Sequence, residues 1–139
     1  MRKRSFQKCK MRLAALWAVS FGILLVIIVL QIYQGIYDDQ SAVAIEIFLQ
    51  HFVPTLSLIF GVFAYEQTKR TRDREIDSFL YYLAAGTSTL YIVLVAMSIL
   101  IQPVVDRSPS DVLQVSTLWL APLHALVSAA VGIFFVQRP

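Results

Sequence analysis

The sequence predicts an all-α integral membrane protein: four transmembrane helices packed as a compact bundle of two hairpins, with both termini in the cytoplasm. Three observations lead there. Residues 13–37, 47–65, 78–105 and 112–137 contain no Asp, Glu, Lys or Arg, and every run is at least 19 residues long. About 20 apolar residues in a helix cross the ~30 Å hydrocarbon core of a bilayer. The chain is also 58% hydrophobic and only 15% charged, with a mean hydropathy of +0.67. A soluble domain is about a quarter charged. Finally, Lys and Arg lie almost wholly on one side of the runs. The N-terminal tail, the 66–77 loop and Arg138 hold 11 of them, whereas the other two loops hold one, Arg107. Basic loops stay in the cytoplasm.

The basic tail, 1–11, comes first. Arg2, Lys3, Arg4, Lys8, Lys10 and Arg12 read as topology and lipid-contact residues, drawn to anionic headgroups. The first helix is placed at about 12–36. Its apolar stretch is longer than the roughly 7–15 residues of a cleavable signal, so it is expected to remain as an anchor. The second helix is placed at about 44–68. The 66–77 loop follows, with Lys69, Arg70, Arg72 and Arg74 balanced by Glu66, Asp73, Glu75 and Asp77. The third helix is placed at about 76–103 and the fourth at about 110–136. Ser108-Pro109-Ser110-Asp111 suits a helix start, with a capping hydroxyl, Pro in the first turn and a carboxylate facing free amides. The whole chain, 1–139, is a single membrane domain, since the residue count outside the spans is too small for a soluble one. A faint internal repeat relates 32–38 to 100–106 and 60–63 to 131–134, at offsets of 68 and 71.

Each span gathers its small and polar residues on one helical face. Glu46, Gln50, Pro54, Ser57 and Gly61 of the second span fall within about 80° of arc. Ala84, Thr87, Ser88, Tyr91, Ser98 and Gln102 of the third fall within about 100°. Thr117, Ala121, His124, Ser128 and Gly132 of the fourth fall within about 80°. The first span is plainer, with Ala15, Ala18, Gly22 and Tyr33 on one side. In lipid, helices associate where small residues allow close approach and polar groups find partners. The stripes therefore predict inward polar faces, with Ala18, Gly22, Gly61, Ala121 and Gly132 at helix contacts.

The intramembrane polar candidates are Glu46, Gln50, His51, Ser57, Thr87, Ser88, Tyr91, Ser98, His124 and Ser128. His51 and His124 are placed at similar depth, ~8 Å below the outer face. Such a pair can relay protons, hold a metal, or simply hydrogen-bond its neighbours. The single cysteine, Cys9, permits neither an intrachain disulfide nor a CxxC motif. No Ser–His–Asp set, HExxH or phosphate loop is present. No catalytic residue, metal site or cofactor is assigned.

The function expected from these features is non-catalytic. The chain acts by helix packing as an accessory or assembly subunit, and its partners are the lipid bilayer and either itself or a larger membrane protein. One alternative is a homo-oligomeric channel or small permease with His51, Gln50 and His124 lining the path. Another is a subunit binding haem between the two histidines, or a metal. Nucleic acid is excluded as a partner, because the basic residues flank spans and no aromatic or recognition helix accompanies them. The expected location is the plasma membrane, the inner one in a bacterium. The charge asymmetry makes a first prediction. In a Cys9→Ser background, a membrane-impermeant thiol reagent added to intact cells labels Ser108→Cys and leaves Thr71→Cys unlabelled until the cells are opened.

Overall fold

A computed structural model describes residues 3–68 and 75–136. Four helices fill most of them: α1 (Phe6–Tyr33), α2 (Ser41–Thr68), α3 (Ser78–Leu100) and α4 (Pro109–Val136). All four are long and apolar enough to cross a membrane. Each is apolar on every face, as large side chains such as Val26, Phe60, Met97 and Leu126 point out of the bundle while Trp17, Phe52, Ile99 and Phe134 point in. α1 packs beside α2 and α3, and α4 closes the ring by packing against the same two helices, most extensively against α3. α1 and α4 therefore face each other across one diagonal, and α2 and α3 across the other.

The helix ends have local causes. α1 stops three residues earlier than expected because Gly35 adopts φ +73°, a left-handed conformation that glycine takes without a Cβ penalty. A 3₁₀ turn, Asp38–Gln40, then leads into α2. α3 also stops three residues early, since Pro103 has no N–H to donate to the Ile99 carbonyl and so breaks the helical ladder. A second 3₁₀ turn, Gln102–Val104, follows. At the start of α4, the Ser108 carbonyl accepts hydrogen bonds from the Asp111 and Val112 amides at 3.0 and 3.2 Å. Pro109 thus occupies the first helical position, where its missing N–H costs nothing.

The architecture is all-helical, as expected, and two details were not foreseen. The first is one short pairing: β1 (Lys3–Ser5) pairs antiparallel with β2 (Glu75–Asp77), in the register Lys3↔Asp77, Arg4↔Ile76 and Ser5↔Glu75. A three-residue strand is too short to carry an alternation pattern. It forms here because α1 and α3 start side by side and bring their leading segments together. The second detail corrects the reading of Lys10. α1 begins at Phe6, six residues before the expected start, so part of the basic tail is helix. Lys10 then falls on the inner face with Leu13 and Trp17, and only 2% of its surface is exposed. Its ammonium is ion-paired with Glu66 at the far end of α2 and lies 3.9 Å from the Phe6 ring centroid. Lys8 and Arg12 remain exposed. Arg2, Lys69, Arg70, Arg72 and Arg74 lie outside the described residues, as do the side chains of Lys3 and Arg4.

A buried ammonium tolerates its position only beside a counter-charge. Glu66→Gln is expected to lower stability by about 2 kcal/mol, less than for a fully buried pair because Glu66 keeps solvent contact. Lys10→Met combined with Glu66→Gln is expected to recover most of that loss. Unfolding in detergent micelles followed by tryptophan fluorescence measures both.

Candidate functional site

The polar residues divide into an inner cluster and an outer face. On α2, the inner positions Ala44, Phe48, His51, Phe52, Thr55 and Ile59 recur every three or four residues and are buried. That spacing aims His51 and Thr55 at the bundle axis. The His51 Nδ1 lies 2.6 Å from the Tyr91 hydroxyl, so this hydrogen bond spans the α2–α3 diagonal. Thr55 Oγ1 lies 3.1 Å from His124 Nε2 on α4. The two imidazole centroids are 6.5 Å apart with nearly perpendicular planes, and the Tyr91 ring is 5.4 Å from that of His124. Trp17 on α1 stacks within 6.1 Å of Tyr91 and donates its Nε1–H to Ser88 Oγ at 3.1 Å. The fold thus brings together His51, His124, Tyr91 and Ser88. Sequence reasoning missed Thr55 and Trp17; the four-residue spacing from His51 was the available signal for Thr55.

A second inner group closes the end that carries the two 3₁₀ turns. Gln31 donates to the Ile99 carbonyl at 3.1 Å and accepts from the Tyr37 hydroxyl at 2.8 Å. Burial pushes the Tyr37 hydroxyl up to about 12, so it stays protonated and keeps donating at any physiological pH. Gln102 donates to the Ser98 carbonyl at 3.1 Å, and its Oε1 is the one buried side-chain oxygen or nitrogen without a partner among the described residues.

This arrangement limits the chemistry. A haem would need both imidazoles to aim a nitrogen at one iron from opposite faces of a macrocycle. The Tyr91 ring packs 6.0 Å from that of His51 and 5.4 Å from that of His124, in the space such a macrocycle would need. Among the described residues, no three of His, Cys, Asp and Glu converge, so the histidines lack the further donors of a tetrahedral zinc site. The adjoining cavity, lined by Ile28, Phe48, Val95, Ile99 and Leu120 around the edge of His51, measures about 10 Å³. That is the lower limit for one water, and apolar cavities stay dry. The set expected to line a path is also split. His51 is buried while Gln50 is exposed, because adjacent helical residues diverge by about 100°.

The small and polar stripes do not all face inward. On α3, Ala84, Ser88, Tyr91 and Ser98 are buried and Thr87 is half-buried, and Gln102 in the turn that follows is buried too, as expected. On α4, Thr117, His124, Ser128 and Gly132 are half-buried, and a Cβ on Gly132 would sit 4.0 Å from Leu58 Cδ1. Ala121, however, is exposed. The α2 stripe faces entirely outward: Glu46, Gln50, Pro54, Ser57 and Gly61 are all exposed, as are Ala15, Ala18 and Gly22 on α1. Nothing lies within 4 Å of a Cβ built on Gly22 or Gly61, so neither is a helix contact within the chain. The inner faces of α1 and α2 are taken instead by Trp17, Phe48 and Phe52.

The outward faces also differ in how their polar groups are satisfied. The Thr87, Thr89 and Thr117 hydroxyls donate to carbonyls four residues back, at 2.8, 2.8 and 2.9 Å. Gln50 and Ser57 make no such bond, and their side chains have no hydrogen-bond partner among the described residues. Pro54, four residues after Gln50, has no N–H to give the Gln50 carbonyl its usual helical donor.

Comparison of the chain with protein-family models, curated proteins and solved structures finds no match in any of the three. The inner cluster yields its own prediction. Tyr91→Phe and His51→Leu each lower stability by about 1 kcal/mol, and a double-mutant cycle in micelles gives a coupling of about 0.6–1.7 kcal/mol. Strict additivity would mean that the Tyr91–His51 bond contributes nothing.

Proposed function

We propose that this chain is an integral membrane protein with both termini in the cytoplasm, and that it is a non-catalytic accessory or assembly subunit docking through the outward face of α2. One observation carries the reading. The polar groups of the bundle's interior are almost all paired, whereas Gln50 and Ser57 on the outer face of α2 are not. An amide moved from water into hydrocarbon without a partner costs about 4–8 kcal/mol on the cyclohexane scale. Gln50 is the fourth residue of the charge-free 47–65 run. A protein surface against α2 would satisfy it, and Ser57 and Gly61 would let that surface come close.

The closed core supports the same reading. The inner histidines are engaged with Tyr91 and Thr55, and the cavity beside them has no room for a substrate. What the chain offers a partner lies on its outside.

Photo-crosslinking in native membranes tests the proposal. A benzophenone residue replacing Val53, exposed beside the α2 stripe, is expected to give protein adducts. The same residue replacing Val19 on α1 is expected to give none. Gly61→Leu should abolish the Val53 adducts and leave the melting temperature unchanged, since Gly61 touches nothing in its own chain. Lipid adducts alone from Val53 would sink the docking role.

A further inference from the structure

We infer that the bundle opens in acid at the end carrying the two 3₁₀ turns, with α2 and α4 bending at Pro54 and Pro122 when the inner His51–His124 pair takes up a proton. This device is separate from the docking role and does not rest on it.

α2 and α4 each carry an internal proline, and α1 and α3 have none. Pro54 cannot donate to the Gln50 carbonyl, nor Pro122 to that of Leu118, so each helix lacks one rung and can kink there. Both prolines point out of the bundle. Each lies beside a histidine: Pro54 three residues after His51, Pro122 two before His124. The prolines also divide a held segment from a loose one. Past them, Thr55 meets His124 and Glu66 pairs with Lys10. Before them, among the described residues, no side-chain hydrogen bond of 41–53 or 111–121 reaches another helix except that of His51 with Tyr91. α1 and α3 form a frame, with Trp17 bonded to Ser88 at one level and Gln31 to the Ile99 carbonyl at another. The His51–Tyr91 bond thus latches the loose halves to that frame.

The latch sits where a charge is poorly tolerated. The cavity of about 10 Å³ against His51 is walled on α2 by Ile47, Phe48 and His51 and on α4 by Leu113, Ser116 and Leu120, all of them before the prolines. No Asp, Glu, Lys or Arg occurs in the runs that surround it, and Glu46, the carboxylate nearest to His51 along α2, is exposed on the outward face. Besides each other, the imidazoles meet one titratable group, Tyr91 on α3, while α1 presents Trp17 and Ile28 at this level. A neutral imidazole has one N–H, which the Tyr91 or Thr55 oxygen can accept. A proton on either ring adds a second N–H, for which the described residues offer no acceptor. It also places a charge 6.5 Å from the other ring, which then resists a proton of its own. Water is left to solvate that charge, and the closed cavity has no room for a shell of it. Splaying the two loose halves admits water from the turn end. The same water reaches Gln102 Oε1, the acceptor that the closed bundle leaves unpaired. Acid favours the state whose imidazoles can be protonated, so opening grows as pH falls and reverses as it rises.

Distances between paired spin labels in the full-length chain, carrying Cys9→Ser and held in micelles, test the inference. Labels at the exposed positions Val43 of α2 and Val115 of α4 report the loose halves, and labels at Phe60 and Ile133 report the held ones. From about pH 7.5 to about pH 4.5, across the imidazole range, the Val43–Val115 distance is expected to lengthen by about 5 Å, the throw of a kink of about 20° over about ten residues. The Phe60–Ile133 distance is expected to stay constant. His51→Gln with His124→Gln should abolish the change. Pro54→Ala with Pro122→Ala, which keeps both imidazoles and restores both amide donors, should at least halve it. A constant Val43–Val115 distance in the chain with both histidines overturns the inference, whatever the variants do. Equal lengthening of both pairs overturns it too, since the bundle then loosens throughout. Opening that persists without the histidines assigns the trigger to carboxylates such as Glu46 and Asp111 and removes the imidazoles from it. Opening undiminished in the double alanine variant removes the hinges.

Discussion

Helices that are apolar on every side have no hydrophobic reason to choose one rotation or one register over another, and that is the constraint this bundle has to meet. Leucine against leucine gains little over leucine against an acyl chain. Orientation must come from groups that cannot be left alone in hydrocarbon. Here they occur at successive levels along the bundle. The Lys10–Glu66 pair ties α1 to α2 at the end that carries β1 and β2. Trp17 ties α1 to Ser88 on α3. His51 reaches Tyr91 across a diagonal, and Thr55 meets His124 on α4. Gln31 and Tyr37 close the opposite end against α3. α1, α2 and α3 are each held by at least two of these ties and α4 by the Thr55–His124 contact, while aromatic rings such as Phe48 and Phe52 fill the space between. The contacts of His51 and His124 are thus two ties among several.

The reach of the sequence follows from the same constraint. The spans were legible because length and hydropathy alone decide them, and the start of α4 because Ser108-Pro109 is local chemistry. The start of α1 was not, because six basic residues among the first twelve resemble a solvated tail although the helix runs through half of them. That error hid Lys10, which is recognisable as an inner residue only once its turn is counted from Phe6. The facing of the stripes was legible for α3, whose serines and tyrosine have partners within the chain. It failed for α1 and α2, because a small or polar face says only that something packs there. Whether that something belongs to the same chain depends on which face the bulky residues occupy, and Trp17, Phe48 and Phe52 took the inner one.

The two hairpins are alike in a way that sharpens this point. Five inner positions of α1 recur on α3 at an offset of 71: Leu13 and Ala84, Trp17 and Ser88, Leu24 and Val95, Ile28 and Ile99, Gln31 and Gln102, all of them buried. The same offset carries the α2 stripe onto α4, where Ser57 meets Ser128 and Gly61 meets Gly132. The correspondence breaks at Gln50, whose counterpart is Ala121. It breaks in packing too, since Gly132 lies against Leu58 while Gly61 lies against nothing. An alanine exposed to lipid costs nothing, whereas an exposed amide is costly there, and of these two counterpart positions only Gln50 carries one. The two hairpins therefore share an inner pattern and differ in what their second helices turn outward.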